Sequence, residues 1–337
     1  MRDIKKRLFH FAFVALAMTS AALCRADRID SLINNALTKT GKIVKCSPYG
    51  KVPGTLSLEA AAKKIRSGMI LRMLPGHYNP KELIIFSQDK IIIEGDKSGG
   101  SVNVPLILYG KNCIVRNIRT RTIEGGSLIA ANVVAHQITI TSGKKRGKPI
   151  LFNCAMNYLN IYPNAQDIVI KNCTSQVGVI VKDEGKVVQT WSYTTRRHGV
   201  YSTIRFGDMV KKGKLTFDRC ILYTDGHLFR KPNKLLALTM QDNIIYCSRS
   251  LITVELKKTE IKSINALKEY FTFKDKGGNM LTKPIFVRTP NPNNSWDTNR
   301  DCFILTPKSP GFGKNIGVNM GPKGIPELRT PGKKKRK

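Results

Sequence analysis

Acidic residues are scarce in this chain: 23 Asp+Glu face 57 Lys+Arg in 337 residues, a formal net charge of +34. That shortage speaks against chemistry that needs a dense carboxylate cluster, such as an all-oxygen calcium cage. No CxxC pair occurs, and the five histidines (His10, His77, His136, His198, His227) show no ligand spacing with cysteine, which argues against zinc. No apolar run beyond Leu23 is long enough to cross a membrane. Hydrophobic residues nevertheless make up 41%, enough for a sizeable core, so wholesale disorder is excluded. A surface this basic attracts polyanions: nucleic acid, acidic or sulfated polysaccharide, or an anionic envelope.

Compartment prunes those polyanions. Residues 1–26 begin with Arg2, Lys5, Lys6 and Arg7, continue with an apolar run from Leu8 to Leu23, and end in Cys24 and Ala26 at the positions a signal peptidase reads. This is the pattern of a signal peptide. A short membrane anchor and a lipid on Cys24 are the alternatives, and Leu23 suits the second poorly. Cleavage would remove five basic residues (Arg2, Lys5, Lys6, Arg7, Arg25) and one acid (Asp3), leaving the mature chain strongly basic. Export, to a periplasm, cell surface or medium, makes no nucleic acid an expected partner and favours an acidic polysaccharide or anionic cell-envelope polymer.

Residues 27–56 read as a polar lead-in with an amphipathic stretch around Ile29–Leu37. A helix is predicted over 57–66, with Ser57 as N-cap, Glu59 in the first turn, Lys63, Lys64 and Arg66 in the last, and Gly68 at the left-handed C′ position. From about residue 84 the helical period disappears. Short β-rich runs (LIIF, KIIIEG, VPLILYG, NCIVRNI, DIVIKNC) alternate with Gly, Asn, Asp and Lys. LTFDRCILY at 215–223 and LTMQDNIIY at 238–246 match at an offset of 23. Tripeptides ending in Cys113, Cys154, Cys173 and Cys220 recur at spacings of 41, 19 and 47, which read as two, one and two turns of a repeat. Short strands in a repeat of this period make a β-solenoid. The fold class is therefore all-β, a parallel β-helix over about 70–258. The four cysteines share one interior column, with Asn112, Asn153 and Asn172 beside it as a partial asparagine ladder. A sandwich of antiparallel strands is the rival fold, but it would want hairpin turns every 8–12 residues and clean alternation.

The stretch LRMLPGHYNPKELII resembles the opening of right-handed parallel β-helix proteins of the pectate-lyase-like superfamily, and GGNMLTKPIFVR with DCFILTPKSPGFGKNIG resembles a recurrent ending in them. Pro284, Phe286, Phe303, Leu305, Ser309, Pro310, Gly313 and Gly317 occupy the matching places, with Cys302 intruding between Asp301 and Phe303. The likeness covers roughly 55–320. It implies a single-stranded right-handed solenoid with an N-terminal capping helix. The superfamily holds polysaccharide lyases, glycosidases and proteins without demonstrated chemistry. The expected organisation is a signal peptide (1–26), the lead-in (27–56), a capped β-helix domain (57–322) and a disordered basic tail (323–337). A second helix is expected within 261–271, near the other end.

Interior thiols packing as small apolar groups account for the cysteine column. A disulfide between neighbours, or one involving Cys46 and Cys302, is the alternative. The segment 186–213 differs from its surroundings and reads as an excursion from the solenoid, where binding grooves are built. It holds Trp191, Tyr193, Arg196, Arg197, His198, Tyr201 and Arg205, and the turn after it adds Asp225, His227, Arg230 and Lys231. Aromatics stack on sugar faces, and arginines fork onto carboxylate or sulfate. Solvated surface charge on a protein basic everywhere is the bland alternative. Trp191, Tyr193, Arg196, Arg197, Arg205, His227 and Arg230 are therefore candidates for binding an acidic polysaccharide. A lyase acting by β-elimination would also need a base and an acid, for which His198, Tyr201 and Lys231 are the candidates. No cofactor is predicted, and Ca²⁺ finds no convincing site among the scattered Asp183, Glu184, Asp208, Asp218, Asp225 and Asp242. A hydrolase would need two facing carboxyl groups, for which only Asp225 and Asp242 offer.

Overall fold

The computed structural model describes residues 30–96, 101–141, 147–161, 167–177, 179–181, 187–190, 202–206, 213–224, 227–230, 234–247, 250–253, 263–288, 299–323 and 326–327. The chain divides into two compact units at Thr40/Gly41. The described part of the first holds a short helix over 30–38.

In the second unit the backbone advances in coils. Gly213–Asp218, Ile221–Thr224 and His227–Arg230 form one coil and Leu236–Gln241, Ile244–Cys247 and Ser250–Thr253 the next. Each strand pairs in parallel with its counterpart one coil on. The offset of 23 in the sequence is this register: Leu215 pairs with Leu238 and Ile221 with Ile244. Strands accumulate into three parallel stacks. The first runs from Ile43–Cys46 to Thr272–Asp275, the second from His77–Tyr78 to Met280–Leu281, the third from Ile84–Phe86 to Ser250–Thr253. The sheet is thus a curled, open, parallel β architecture of solenoid type, and it begins at Ile43, inside the stretch read as a lead-in.

Each strand sends alternate residues inward, where they meet the same position of the neighbouring coil. In the third stack the inward row is Leu106, Ile123, Ile138, Leu159, Phe229 and Ile252, all at most 1% exposed. The ends of this core need cover. At the N-terminal end lies the helix Leu58–Lys64, whose N–H at Ala60 is capped by the Ser57 hydroxyl (3.2 Å) and whose Leu58 and Ala61 join the core. It stops at Ile65 rather than reaching residue 66, and Gly68 takes its positive φ of 80° in the following turn. At the other end the expected helix is a 3₁₀ turn, Ile264–Glu269, which buries Leu267, while Phe271 meets Phe229 edge-on at 5.4 Å.

Where the first stack turns into the second, one residue per coil adopts left-handed geometry: Asn117, Asn132, Asn153, Asn172, Arg219 and Asp242, with φ between 51° and 55° except for Asn153 at 50°. Asparagine tolerates this conformation because its amide compensates locally. The amides then link coil to coil, Asn132 Nδ2 donating to Asn117 Oδ1 (3.0 Å) and Asn153 Nδ2 to Asn132 Oδ1 (2.8 Å).

Two sequence expectations change here. The residues after this corner form the column Ile118, Val133, Cys154, Cys173, Cys220, so three of the four cysteines stack as expected, but Cys113 does not. Cys113 pairs with Leu128 at the start of the first stack, and Asn112 belongs to that other corner, its N–H bonded to Ser127 Oγ. The cause is coil length. Coils vary, from the 15 residues between Ile114 and Ile129 to the 47 between Val169 and Thr216. The spacing of 47 between Cys173 and Cys220 is therefore one coil enlarged by an insertion, not two coils. The described cysteines are free thiols, and burial pushes Cys220 up to about 12.

The segment resembling the superfamily's ending runs back over the second stack. That stack's outer row is apolar but for one threonine: Val134, Ala155, Thr174, Ile221, Ile244. Cys302, Phe303, Val318 and Met320 pack on Val134 and Ala155, and Phe286, Leu305 and Ile316 on Ile221, Tyr223 and Ile244. Polar contacts lock this strap: Val318 N donates to Thr174 Oγ1 (3.0 Å), Asn319 N to Asn153 Oδ1 (2.7 Å), and Asn172 Nδ2 to the Asn315 carbonyl (2.7 Å). Gly317 sits where its N–H reaches the Arg219 carbonyl at 2.7 Å and where a Cβ would lie 2.5 Å from Ile221. The tail beyond Glu327 and the leader lie outside the described residues.

Candidate functional site

With the second stack strapped over, two outer faces remain. On the first, charges are largely neutralised within the protein. Glu94, 7% exposed, accepts from Arg72 Nε (2.6 Å) and Arg116 Nε (2.9 Å), residues one coil before and one coil after it. Burial pushes the Glu94 carboxyl up, but these two guanidinium groups outweigh it and hold it below the usual range. Lys171 and Asp218 pair in the same row, 3.9 Å apart. This face is a structural charge ladder.

The third stack differs. One row of it, in register, runs Ile85, Ile107, Glu124, Thr139, Asn160 and the backbone positions of Arg205 and Arg230. Beside it runs Thr122, Gln137, Tyr158. Two arginines are thus in direct register on adjacent strands, about 5 Å apart along the backbone. Like charges directly opposite one another destabilise a sheet, so sheet stability gives no reason for this pairing. Further along, Glu124 is half-buried, and burial alone raises its carboxyl above the usual range. Its register neighbours Ile107 and Thr139 carry no charge.

At the corner between the second and third stacks stands a third row: His136, Asn157, Gln176, Tyr223, Tyr246. His136 Nδ1 and Asn157 Nδ2 are 3.3 Å apart, and the His136 ring meets Tyr158 edge-on at 5.1 Å. Gln176 is 1% exposed, and neither atom of its amide has a hydrogen-bond partner among the described residues. Tyr223 and Tyr246 stack at 5.5 Å, with Lys283 Nζ 5.5 Å above Tyr246.

The residues proposed from sequence fall in two groups. Arg205, His227 and Arg230 lie on strands of the third stack, Ser202–Phe206 and His227–Arg230, where Ser202 also pairs with His227. Trp191, Tyr193, Arg196, Arg197, His198, Tyr201 and Lys231 lie outside the described residues. The boundaries of the excursion also shift. Val179–Val181 and Val187–Thr190 form a small antiparallel ribbon, and Ser202–Phe206, read as part of the excursion, is a solenoid strand. The insertion therefore opens between a second-stack strand, Thr174–Val177, and a third-stack strand, Ser202–Phe206, of one coil. Sequence reasoning missed His136, Asn157, Tyr158, Gln137 and Glu124. Their signal was present in the polar residues of HQITI and NYLNI, which alternate with apolar ones at an offset of 21. Among the described residues, no group of three or more His, Cys, Asp or Glu could hold a metal ion, and no helix is long and apolar enough to cross a membrane. No protein-family model, curated protein or solved structure matches the chain.

Proposed function

We propose that this is an exported protein, periplasmic, cell-surface or secreted, built as a single-stranded right-handed parallel β-helix of the pectate-lyase-like kind. Its third-stack outer face binds an acidic polysaccharide, uronate or sulfated. Residues 1–26 are removed, the solenoid begins at Ile43 rather than at 57, and its closing strap runs on to Glu327, ahead of the basic tail. The observation that carries the binding reading is the register of Arg205 with Arg230 in one row with Thr139 and Asn160. Two arginines at paired positions of adjacent strands bring two positive charges to one place, which an anion would neutralise, and an arginine can fork onto a carboxylate or sulfate. Asn160 and Gln137, both part-exposed, offer neutral donors and acceptors for sugar hydroxyls along the same line. The strong positive charge that remains once the leader is removed brings a polyanion to the surface, and geometry then selects.

The contact between His136 and Tyr158 favours a second reading, a lyase. β-Elimination needs a base to take the proton α to the uronate carboxyl group, an acid to protonate the departing glycosidic oxygen, and a partner that neutralises the carboxylate. His136 and Tyr158 have the groups for the first two roles but are only 5% and 6% exposed, so a substrate would have to reach them at the corner they line; an arginine suits the third.

The experiment is a binding panel of uronate, sulfated and neutral polymers. Arg205→Ala with Arg230→Ala is expected to weaken one acidic class by at least about 100-fold, from losing two charge-assisted contacts of about 1.5–3 kcal/mol each. Deleting 333–337 should weaken all acidic polymers equally. Equal behaviour of the two variants across the panel refutes the site. Unsaturated uronate product, lost in Tyr158→Phe while binding survives, would select the lyase.

A further inference from the structure

The arginine row continues, in register and on the same face, into an apolar end. Leu83 and Ile85 stand 58% and 49% exposed at the first strand of the third stack, and Tyr109 is 55% exposed. Ile85 pairs with Ile107, and Tyr109 follows just past the end of that strand at Leu108. An edge strand is ordinarily protected by charge or proline, yet here aliphatic side chains face outward on the strand that begins the stack. Around them lie exposed Lys81, Lys90 and Lys111, against one exposed carboxylate, Glu82. Lys90 and Lys111 are brought together because the two turns stack, Lys90 N donating to the Lys111 carbonyl (2.8 Å) and Lys111 N to Asp89 Oδ1 (2.8 Å). Aliphatic residues, a tyrosine and flanking lysines form the composition of a protein face that seats at a boundary between acyl chains and anionic headgroups. A second copy of this chain is a poor occupant, because two bodies of charge +34 repel.

We propose that the ligand of this face is an anionic glycolipid. Its acidic sugars lie along Asn160, Arg205 and Arg230, and the start of its acyl chains lies on Leu83, Ile85, Ile107 and Tyr109. Four register steps separate Ile107 from Arg205, about 19 Å at a strand spacing of about 4.8 Å, a span that suits a headgroup of several sugars. The proposal rests on the polysaccharide-binding reading of the same face and adds the lipid end to it.

The test uses the full chain and four probes: lipopolysaccharide, its fully deacylated oligosaccharide, lipid-free polygalacturonate, and phosphatidylglycerol vesicles. Lipopolysaccharide should bind at least tenfold tighter than its deacylated form. Leu83→Ser with Ile85→Ser should abolish that difference and leave the two lipid-free probes unchanged. Unaltered circular dichroism and unfolding midpoint would confirm that this variant is folded, and Leu83→Asn alone, expected to act more weakly in the same direction, serves if it is not. Equal affinity for the acylated and deacylated probes overturns the glycolipid while leaving polysaccharide binding intact. Equal or tighter binding to phosphatidylglycerol overturns it in favour of a plain anionic membrane. Lipopolysaccharide binding that is unaffected by Arg205→Ala with Arg230→Ala, together with no binding of either lipid-free probe, overturns the polysaccharide reading and with it the sugar half of this one.

Discussion

Asn153 ties the solenoid to its strap, and replacing it separates two contributions. Its Oδ1 accepts from Asn319 N (2.7 Å), and its Nδ2 donates to Asn132 Oδ1 (2.8 Å) and to the Glu327 carbonyl (2.8 Å). The residue is 3% exposed and its φ is 50°. Asn153→Ala removes three hydrogen bonds and forces an alanine into the left-handed region. At about 0.5–1.5 kcal/mol per bond and about 1–2 kcal/mol for the backbone, the loss is about 3–5 kcal/mol. Asn153→Gly loses the same bonds without the backbone cost, so it should be milder than alanine by about 1–2 kcal/mol. Solenoid coils open locally, so a global midpoint would understate the change. Amide hydrogen exchange at Val318 and Asn319 is the appropriate assay. Their exchange should rise by about two to three orders of magnitude in the alanine variant, since each 1.4 kcal/mol is about tenfold, and by less in the glycine variant. The reasoning is refuted if alanine and glycine behave alike, or if both exchange like the parent.

Glu94→Gln should cost about 3 kcal/mol, because it leaves the buried Arg116 without its counter-charge, measured by urea unfolding at neutral pH. The folded carboxyl lies below its ordinary value, so its contribution is present above the unfolded pKa of about 4.3 and is lost as pH falls through the lower folded value; the glutamine variant should lack that part of the acid dependence. Cys154, Cys173 and Cys220 are buried and free, and burial pushes Cys173 as well as Cys220 upward. A bulky thiol reagent should therefore leave them unmodified in the native protein and modify them in denaturant, with Cys247, the half-buried one, reacting first; prompt native labelling of Cys220 would contradict the interior column.

The sequence by itself determined the repeat. Identical chemistry at an offset of 23, and short β-branched runs closed by Asn, Asp or Arg before Cys, are local facts, because a parallel coil repeats its environment and so repeats its residues. The capping Ser57, the shared column of Cys154, Cys173 and Cys220, and the asparagines beside two of them were legible for the same reason. Coil length was not. A 15-residue coil and a 47-residue coil satisfy the same register, since the sheet constrains only the strands and leaves each turn free, so Cys113 was placed in the wrong column and one coil was counted as two. Only the tertiary structure decided which outer face stays open. The strap from 284 onward lies over the second stack because that row is apolar and its corner asparagines can bond a passing backbone, a match between segments up to 174 residues apart. It also decided that Arg205 and Arg230 share a row with Glu124 and Ile85. Register across seven coils depends on every turn between them, and no single stretch of sequence contains it.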